Sequence, residues 1–160
     1  MGDGLGHGVN AHEAVQTAIE AFKGCSETEP VEILRYMHQR VKKTRGLVGS
    51  IASYNHSLKE WKVCGIGNIT TRFYDGLVNK KVMSHNGIIG LNIPTFMNSH
   101  VLSNADYQYV VMFSDGIKNH WDLNQFPGIL KYAAPIMAAA IFKDNARKTD
   151  DMTLLIGKVN

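Results

Sequence analysis

The chain of 160 residues has few cysteines and no long hydrophobic run, and both shortages limit what it can be. Cys25 and Cys64 are far apart and form no CxxC or Cys/His pattern, so the sequence contains no zinc or dithiol redox motif. We expect two unpaired structural thiols. No apolar run approaches the roughly 18 residues that a membrane span needs, and no signal peptide is recognisable. These absences favour a cytoplasmic protein without a membrane partner.

A strong charge of one sign is also missing. The formal net charge is +3, which is too weak to indicate nucleic-acid binding by itself. The cations Arg40, Lys42, Lys43 and Arg45 follow a predicted helix, where positive charge complements the helix dipole, and no aromatic residue lies among them. The sequence has no GxxxxGK[ST] motif, and its first glycines have GxGxG rather than GxGxxG spacing. We therefore expect neither a nucleic-acid partner nor a nucleotide site.

Hydrophobic periodicity predicts two helices in the first quarter of the chain. Apolar residues recur every three or four positions in AHEAVQTAIEAF and again in PVEILRYMHQRVKK. Pro30 suits the first position of the second helix. The residues expected to face the core are Ala14, Ala18, Ile19 and Phe22 in the first helix, and Val31, Leu34, Met37 and Val41 in the second.

The period changes to two from Gly46 onward. The runs LVGSIASYN, EWKVCGIGN, ITTRFYDG and NKKVMSHNG predict consecutive strands of one antiparallel meander. YVVMF predicts a further strand, and MTLLIGKV predicts the last one. Between them, DLNQFPGILKYAA and PIMAAAIFKDNA indicate one or two helices, the first broken by Pro127 and Gly128. This order predicts a single α+β domain over residues 1–160 with a layered αββα arrangement.

Three aspartates lie at turns and are candidates for a metal site. Asp3 lies in GDGLG, Asp115 in FSDG after an apolar strand, and Asp150 in TDDMT before the last strand. If these two strands pair antiparallel, Asp115 and Asp150 reach the same rim of the sheet. Clustered carboxylates repel unless a cation compensates, and oxygen ligands without His or Cys favour Mg²⁺ or Mn²⁺ over zinc. Gly4 could add its carbonyl, since glycine lets the backbone approach an ion. The alternative is that Asp-Gly is an ordinary turn dipeptide.

The order of these motifs resembles a known family. DGLGHG, then SDG after an apolar strand, then DDMT before the last strand is similar to the metal-dependent serine/threonine phosphatases of the type 2C superfamily. The resemblance is greatest to the SpoIIE-like branch, which includes the stand-alone feedback phosphatase of the stressosome. KKTRGLVGSIA, CGIGNITTRF and NGIIG look like the TRG, GxGN and NGxxG positions of that branch. The match covers nearly the whole chain.

The resemblance implies a β-sandwich flanked by helices and a site with two Mn²⁺ or Mg²⁺ ions. Asp3 would bridge the ions, Gly4 would offer its carbonyl, and Asp115 and Asp150 would complete the cluster. Asp151 would lie outside the first set of ligands. The substrate would be phosphoserine or phosphothreonine on a regulatory protein of a sigma-factor or stress-signalling switch. Hydrolysis would follow two-metal chemistry without a covalent intermediate.

The chain departs from the family pattern at its start. The family has about two strands before the DGLGHG turn, with a further acidic ligand, whereas only Met1 and Gly2 precede Asp3 here. We therefore expect an N-terminally incomplete domain. The alternative to an enzyme is a non-catalytic module that recognises such a partner, but such a module has no physical reason to keep three repelling carboxylates. His7 either contacts the phosphate or caps the turn.

Overall fold

The structure is a computed structural model that describes residues 1–75, 78–103, 107–147 and 151–159. Its helices are α1 (Val9–Lys23), α2 (Pro30–Arg40) and α3 (Ala134–Asn145). Its strands are β1 (Gly2–Gly4), β2 (Leu47–Asn55), β3 (Glu60–Ile66), β4 (Thr70–Asp75), β5 (Val78–Val82), β6 (His100–Ser103), β7 (Tyr109–Phe113) and β8 (Leu154–Lys158). Within these ranges, no helix combines the length and the apolar composition that crossing a bilayer would take.

The strands form two antiparallel sheets. The first sheet has the order β1-β2-β3-β6 and the second has the order β5-β4-β7-β8. The prediction of one continuous meander was therefore wrong, because the chain changes sheets between β3 and β4. Gly67, which has a φ of 88°, and the buried Ile69 lie in this connection. Two stacked sheets bury the apolar residues of both pairs of strands, which one open meander would leave half exposed.

Three apolar clusters confirm the predicted αββα layers. Between the sheets lie Val48, Trp61, Val63, Phe73, Val110 and Met112. The outer face of the first sheet packs against α1 and α2 through a cluster that includes Leu34, Val41, Leu47, Ile66 and Ile89. The outer face of the second sheet packs against α3 through a cluster that includes Tyr74, Val111, Phe113, Met137 and Ile141.

The two N-terminal helices differ in how well their buried faces could be predicted. In α2, Pro30 occupies the first turn and all four predicted core residues are buried, as expected. In α1 the buried residues are Ala11, Ala14, Ala18 and Ala21, whereas Ile19 is 39% and Phe22 is 48% exposed. The prediction for Ile19 and Phe22 was therefore wrong. The start of α1 lies against β1, where a Cβ on Gly4 would be 2.6 Å from the carbonyl oxygen of Ala11, whereas Ala18 and Ala21 pack in the cluster that includes α2.

The segment before α3 also differs from expectation. DLNQFPGILKYAA contains two single 3₁₀ turns, Leu123–Gln125 and Ile129–Lys131, instead of an α-helix. Pro127 has no amide hydrogen for a helix, and Gly128 adopts a left-handed φ of 77°. The helix predicted after this segment is present as α3. Cys25 and Cys64 are both unpaired, as predicted, and burial raises the pKa of the Cys64 thiol to about 11.

Candidate metal centre

A cleft of about 610 Å³ brings together segments that are distant in the sequence. It is lined by the DGLGH turn, Gly67 and Asn68 of GIGN, Asn86 and Gly87 of NGIIG, and Asp115 and Asp151. Asp3 reaches it from the first sheet, whereas Asp115 reaches it from the second. The motifs singled out in the sequence therefore meet at one place in the fold.

The glycine-rich opening is a tight backbone turn. Asp3 is half-buried in β1, where it lies opposite Val48. The chain then turns into α1 through Gly6 and Gly8, whose φ angles are 77° and 82°, a region that side chains disfavour. The amide of Leu5 donates to the carbonyl oxygen of Gly46 at 3.1 Å. Backbone packing and backbone hydrogen bonding thus fix the direction from which Asp3 enters the cleft.

The turn that carries Asp115 is held by the segment before β8. Strands β7 and β8 pair antiparallel with Phe113 opposite Leu154, which confirms the pairing expected for the last two strands. Ser114 donates from its hydroxyl to the carbonyl oxygen of Asp151 at 3.3 Å and accepts from the amide of Thr153 at 3.0 Å. A Cβ on Gly116 would lie 2.3 Å from that same carbonyl oxygen of Asp151, so the two turns are in close contact.

Asn68 is a candidate site residue that the sequence interpretation did not assign. Its side-chain Nδ2 donates to Oδ2 of Asp115 at 2.8 Å, across the boundary between the two sheets. Gly67 places it there with a left-handed φ, and a Cβ on Gly67 would lie 2.2 Å from Cγ1 of Val48. The hydrogen bond orients the Asp115 carboxylate. The signal in the sequence was the asparagine of GIGN, an amide at the end of a strand in a motif that had no assigned role.

A buried arginine anchors the loop that follows Asp115. Arg72 on β4 donates to the carbonyl oxygens of Asn119 and Trp121, and its guanidinium lies 5.0 Å from the centre of the Trp121 ring. Thr70 adds a hydrogen bond from Oγ1 to Oδ1 of Asn119 at 3.0 Å. The loop is therefore connected to the second sheet by both backbone and side-chain contacts.

The structure thus places Asp3, Gly4 and Asp115 at one cleft, together with Asp151 and the exposed His7. Asp150 lies outside the described residues, next to Asp151. Among the residues that the structure describes, no group of three or more His, Cys, Asp or Glu side chains is arranged to hold a metal ion. The role of Asp3, Gly4, Asp115 and Asp150 as metal ligands remains a prediction.

The donor groups at the cleft fit the predicted ions in their chemistry. They are carboxylates of aspartate, side-chain amides of Asn68 and Asn86, and backbone carbonyls of a glycine-rich turn, with the His7 imidazole as the one nitrogen ligand among the described lining residues. Hard oxygen donors of this kind suit Mg²⁺ and Mn²⁺, and no cysteine lines the cleft among the described residues.

Comparisons with known proteins agree with this fold. No protein-family model matches the chain, and a search of curated proteins finds no similar sequence. Solved structures do match. A chain from work on the bacterial stressosome, a modular system adapted to control secondary messenger signaling, is 24% identical, with a TM-score of 0.81 over 97% of this chain and 81% of the other.

Two further structures show the same similarity. RsbX, solved in complex with magnesium, is 21% identical, with a TM-score of 0.79 over 99% of this chain and 79% of its own. A Stage II sporulation E family protein from Thermanaerovibrio acidaminovorans is 17% identical, with a TM-score of 0.67 over 99% and 93%. The chain therefore has the fold of the SpoIIE-like branch of the type 2C protein phosphatases.

Proposed function

We propose that this protein hydrolyses phosphoserine or phosphothreonine on a regulatory protein partner and that the reaction requires Mn²⁺ or Mg²⁺. The observation that carries the proposal is that Asp3 and Asp115, which come from different sheets, line one cleft of a phosphatase fold. Carboxylates that share one cleft favour a bound cation there, because a cation offsets the repulsion between like charges.

In this proposal Asp3, the Gly4 carbonyl, Asp115 and Asp150 hold two ions. When bound, the ions would supply polarisation of the phosphoryl oxygens and activation of a water molecule for in-line attack. The protein contributes positioning. Asn68 orients the Asp115 carboxylate through the 2.8 Å hydrogen bond, and the packed backbone of Gly4 limits movement of Asp3. Fixed ligands keep the site ready for the transition state without rearrangement.

The class of partner is proposed from the neighbours. One structural neighbour comes from work on the bacterial stressosome, and another is a structure of the RsbU and RsbW domains of Rv1364c from Mycobacterium tuberculosis. These contexts support a phosphorylated regulatory protein of a stress-signalling or sigma-factor switch as the substrate. A phosphoserine carries about −1.5 to −2 charges near neutral pH, which suits a site that contains divalent cations.

The test is metal-dependent turnover of p-nitrophenyl phosphate and of a phosphoserine protein. We expect activity with Mn²⁺ or Mg²⁺, none in EDTA, and a loss of about 100-fold or more in Asp115→Asn, because removing one charged ligand removes transition-state stabilisation of several kcal/mol. Asp144→Asn is the matched control, since Asp144 is exposed on α3. Calorimetric titration of Mn²⁺ into the wild type and into Asp150→Ala measures the ligand role of Asp150 directly.

Full turnover in EDTA, or an Asp115→Asn variant as active as Asp144→Asn, would refute the proposal. If the protein binds the phosphoprotein but releases no phosphate with any of the metals, the result would instead support the non-catalytic binding module.

A further inference from the structure

Three exposed cations follow α2 beside the candidate metal centre. Lys42, Lys43 and Arg45 lie in residues 42–45, which we call the basic turn, and all three are exposed. The ion pairs found among the described residues are elsewhere, between Arg35 and Glu32 and between Lys62 and Glu29. Within that part of the chain, no carboxylate neutralises the basic turn. Its charge is therefore available to a ligand from outside.

The backbone of the basic turn is fixed on both sides of Arg45. Thr44 donates from Oγ1 to the carbonyl oxygen of Val41 at 2.8 Å and accepts from the amide of Gly46 at 3.1 Å. Gly46 has a φ of 81°, and a Cβ there would lie 2.7 Å from the carbonyl oxygen of Ile89. The backbone therefore holds the base of the Arg45 side chain in one place, and only the side chain itself adjusts to a ligand.

Arg45 lies at the rim of the cleft. A Cβ placed on Gly6, which lines the cleft, would be 3.0 Å from Nη2 of Arg45, so the guanidinium covers that glycine. The hydrogen bond from Leu5 to Gly46 joins the same two turns. Gly6 is in the turn that follows Asp3, which places Arg45 beside the site and not on its floor. A cation in this position would contact the substrate residues that flank a phosphoryl group bound in the cleft.

We infer that the basic turn binds acidic side chains that flank the phosphorylated residue of the substrate, with Arg45 as the principal contact. This inference rests on the proposed function, because it assumes that the phosphoryl group lies at Asp3 and Asp115. The guanidinium fork matches a carboxylate with two parallel hydrogen bonds, whereas the ammonium groups of Lys42 and Lys43 add attraction at longer range. Residues at the rim would thereby select acidic phosphorylation sites over neutral ones.

The experiment compares two phosphoserine peptides that differ only in having Glu and Asp, or Gln and Asn, beside the phosphoserine. For the wild type we expect kcat/KM to be about two- to five-fold higher for the acidic peptide, the size of an exposed ion pair. Arg45→Ala should bring the ratio close to one, and Arg45→Lys should retain part of it. Lys23→Ala is the control, since Lys23 is an exposed cation at the opposite end of α1 from the cleft.

A binding measurement separates this inference from the phosphatase proposal. Fluorescence anisotropy is recorded in Mn²⁺ with the same two labelled peptides carrying a non-hydrolysable phosphonate in place of the phosphate, so that the ions are present and turnover is absent. We expect the wild type to bind the acidic peptide more tightly than the neutral one, and we expect this preference to disappear in Arg45→Ala. In the wild type the preference should shrink as the salt concentration rises from about 0.05 M to about 0.5 M.

Equal binding of both peptides by the wild type, or a preference that persists in Arg45→Ala, would overturn the inference. An Arg45-dependent preference in a protein without phosphatase activity would support the basic turn as an acidic-peptide site and refute the proposed hydrolysis. Thermal melts of each variant show whether the fold is intact.

Discussion

Asp3 and Asp115, the two carboxylates on which the proposed function rests, are held by different means. The backbone that carries Asp3 packs closely against its neighbours, since Gly4 lies against the backbone of α1 and Gly6 has a left-handed φ. Asp115 is fixed mainly by polar side chains, since Asn68 binds its carboxylate and the hydroxyl of Ser114 binds the turn before β8. A larger side chain near Gly4 should therefore displace Asp3, whereas the loss of a hydrogen bond should displace Asp115.

The largest effect is expected for Gly4→Ala. The new Cβ would lie 2.6 Å from the carbonyl oxygen and 3.1 Å from the carbonyl carbon of Ala11, and neither backbone atom can move without shifting α1. We expect the free energy of unfolding to fall by about 1–3 kcal/mol, as for other overpacked sites. Metal-dependent activity should fall with it, because Asp3 moves with the displaced turn. Chemical denaturation and phosphatase assays measure both quantities.

The control for this variant is Gly24→Ala at the end of α1. A Cβ on Gly24 would lie 3.4 Å from the carbonyl oxygen of Glu20, and Gly24 has an ordinary φ of −87°. Its stability should change by less than about 1 kcal/mol, and alanine in place of glycine lowers the entropy of the unfolded chain. If Gly4→Ala is as stable as Gly24→Ala, packing of the Gly4 backbone does not hold Asp3.

Ser114→Ala is expected to have the next largest effect. Ser114 is 2% exposed, and its hydroxyl makes hydrogen bonds at 3.3 Å and 3.0 Å to the turn that includes Asp151 and Thr153. Removing the hydroxyl takes away the acceptor of the Thr153 amide and the donor to Asp151, which costs about 0.5–1.5 kcal/mol of the free energy of unfolding. Urea denaturation of Ser114→Ala and of the exposed Ser57→Ala makes the comparison. Equal denaturation midpoints would show that the hydrogen bonds of the Ser114 hydroxyl contribute nothing to stability.

The way in which each aspartate is held also explains which parts of the site could be predicted from the sequence. Asp3, Gly4 and Asp115 were chosen because glycine and aspartate at turns are local signals, and the structure brings these residues to one cleft. The asparagine of GIGN marks Asn68 as a candidate, but the sequence does not show that its partner is Asp115, because that contact depends on which sheet each strand joins. All the strands from β2 to β5 have the same period, so the sequence pattern could not show that the chain changes sheets after β3.

The error in α1 has a similar cause. Hydrophobicity favours Ile19 and Phe22 as core residues, but the alanine side of the helix is buried instead, at its start against β1 and further along against α2. The distance between two packed elements is a property of the folded chain, and the hydrophobic pattern of a single helix does not reveal it. In α2, where large side chains fill a wider gap, Leu34 and Met37 were identified correctly.

Asn68→Ala is expected to have a smaller effect on stability but a clear effect on metal binding at the site. The hydrogen bond to Asp115 is exposed, so its loss should change the free energy of unfolding by less than about 0.5 kcal/mol. The affinity for Mn²⁺ should nevertheless fall, by about 10-fold, because a partner of a metal ligand orients it. Calorimetric titration measures this affinity, with Asn124→Ala on the exposed 3₁₀ turn as the control. Unchanged Mn²⁺ affinity in Asn68→Ala would mean that the Asp115 carboxylate needs no orientation.

The smallest effect concerns His38, a titratable residue that supports the side of Asp3. Its Nδ1 accepts a hydrogen bond from the amide of Gly90 at 2.9 Å, and Gly90 follows Ile89, which pairs with Leu47 at the start of β2. Burial, together with the nearby positive charge of Lys42, lowers the pKa of His38. Protonation would remove the acceptor, so acid should weaken this support.

The sign follows from the direction of that shift. Because the pKa of His38 is lower in the folded protein than in the unfolded chain, the unfolded chain binds the proton more tightly, and stability falls as the pH drops below about 6.5. His38→Gln retains an acceptor for the Gly90 amide and does not titrate, so its melting temperature should fall less between pH 7.5 and pH 5.5. The exposed His12→Gln serves as control and should behave as the wild type. If His38→Gln and the wild type lose the same stability over this range, the acid sensitivity originates in other titratable groups and not in the hydrogen bond between Gly90 and His38.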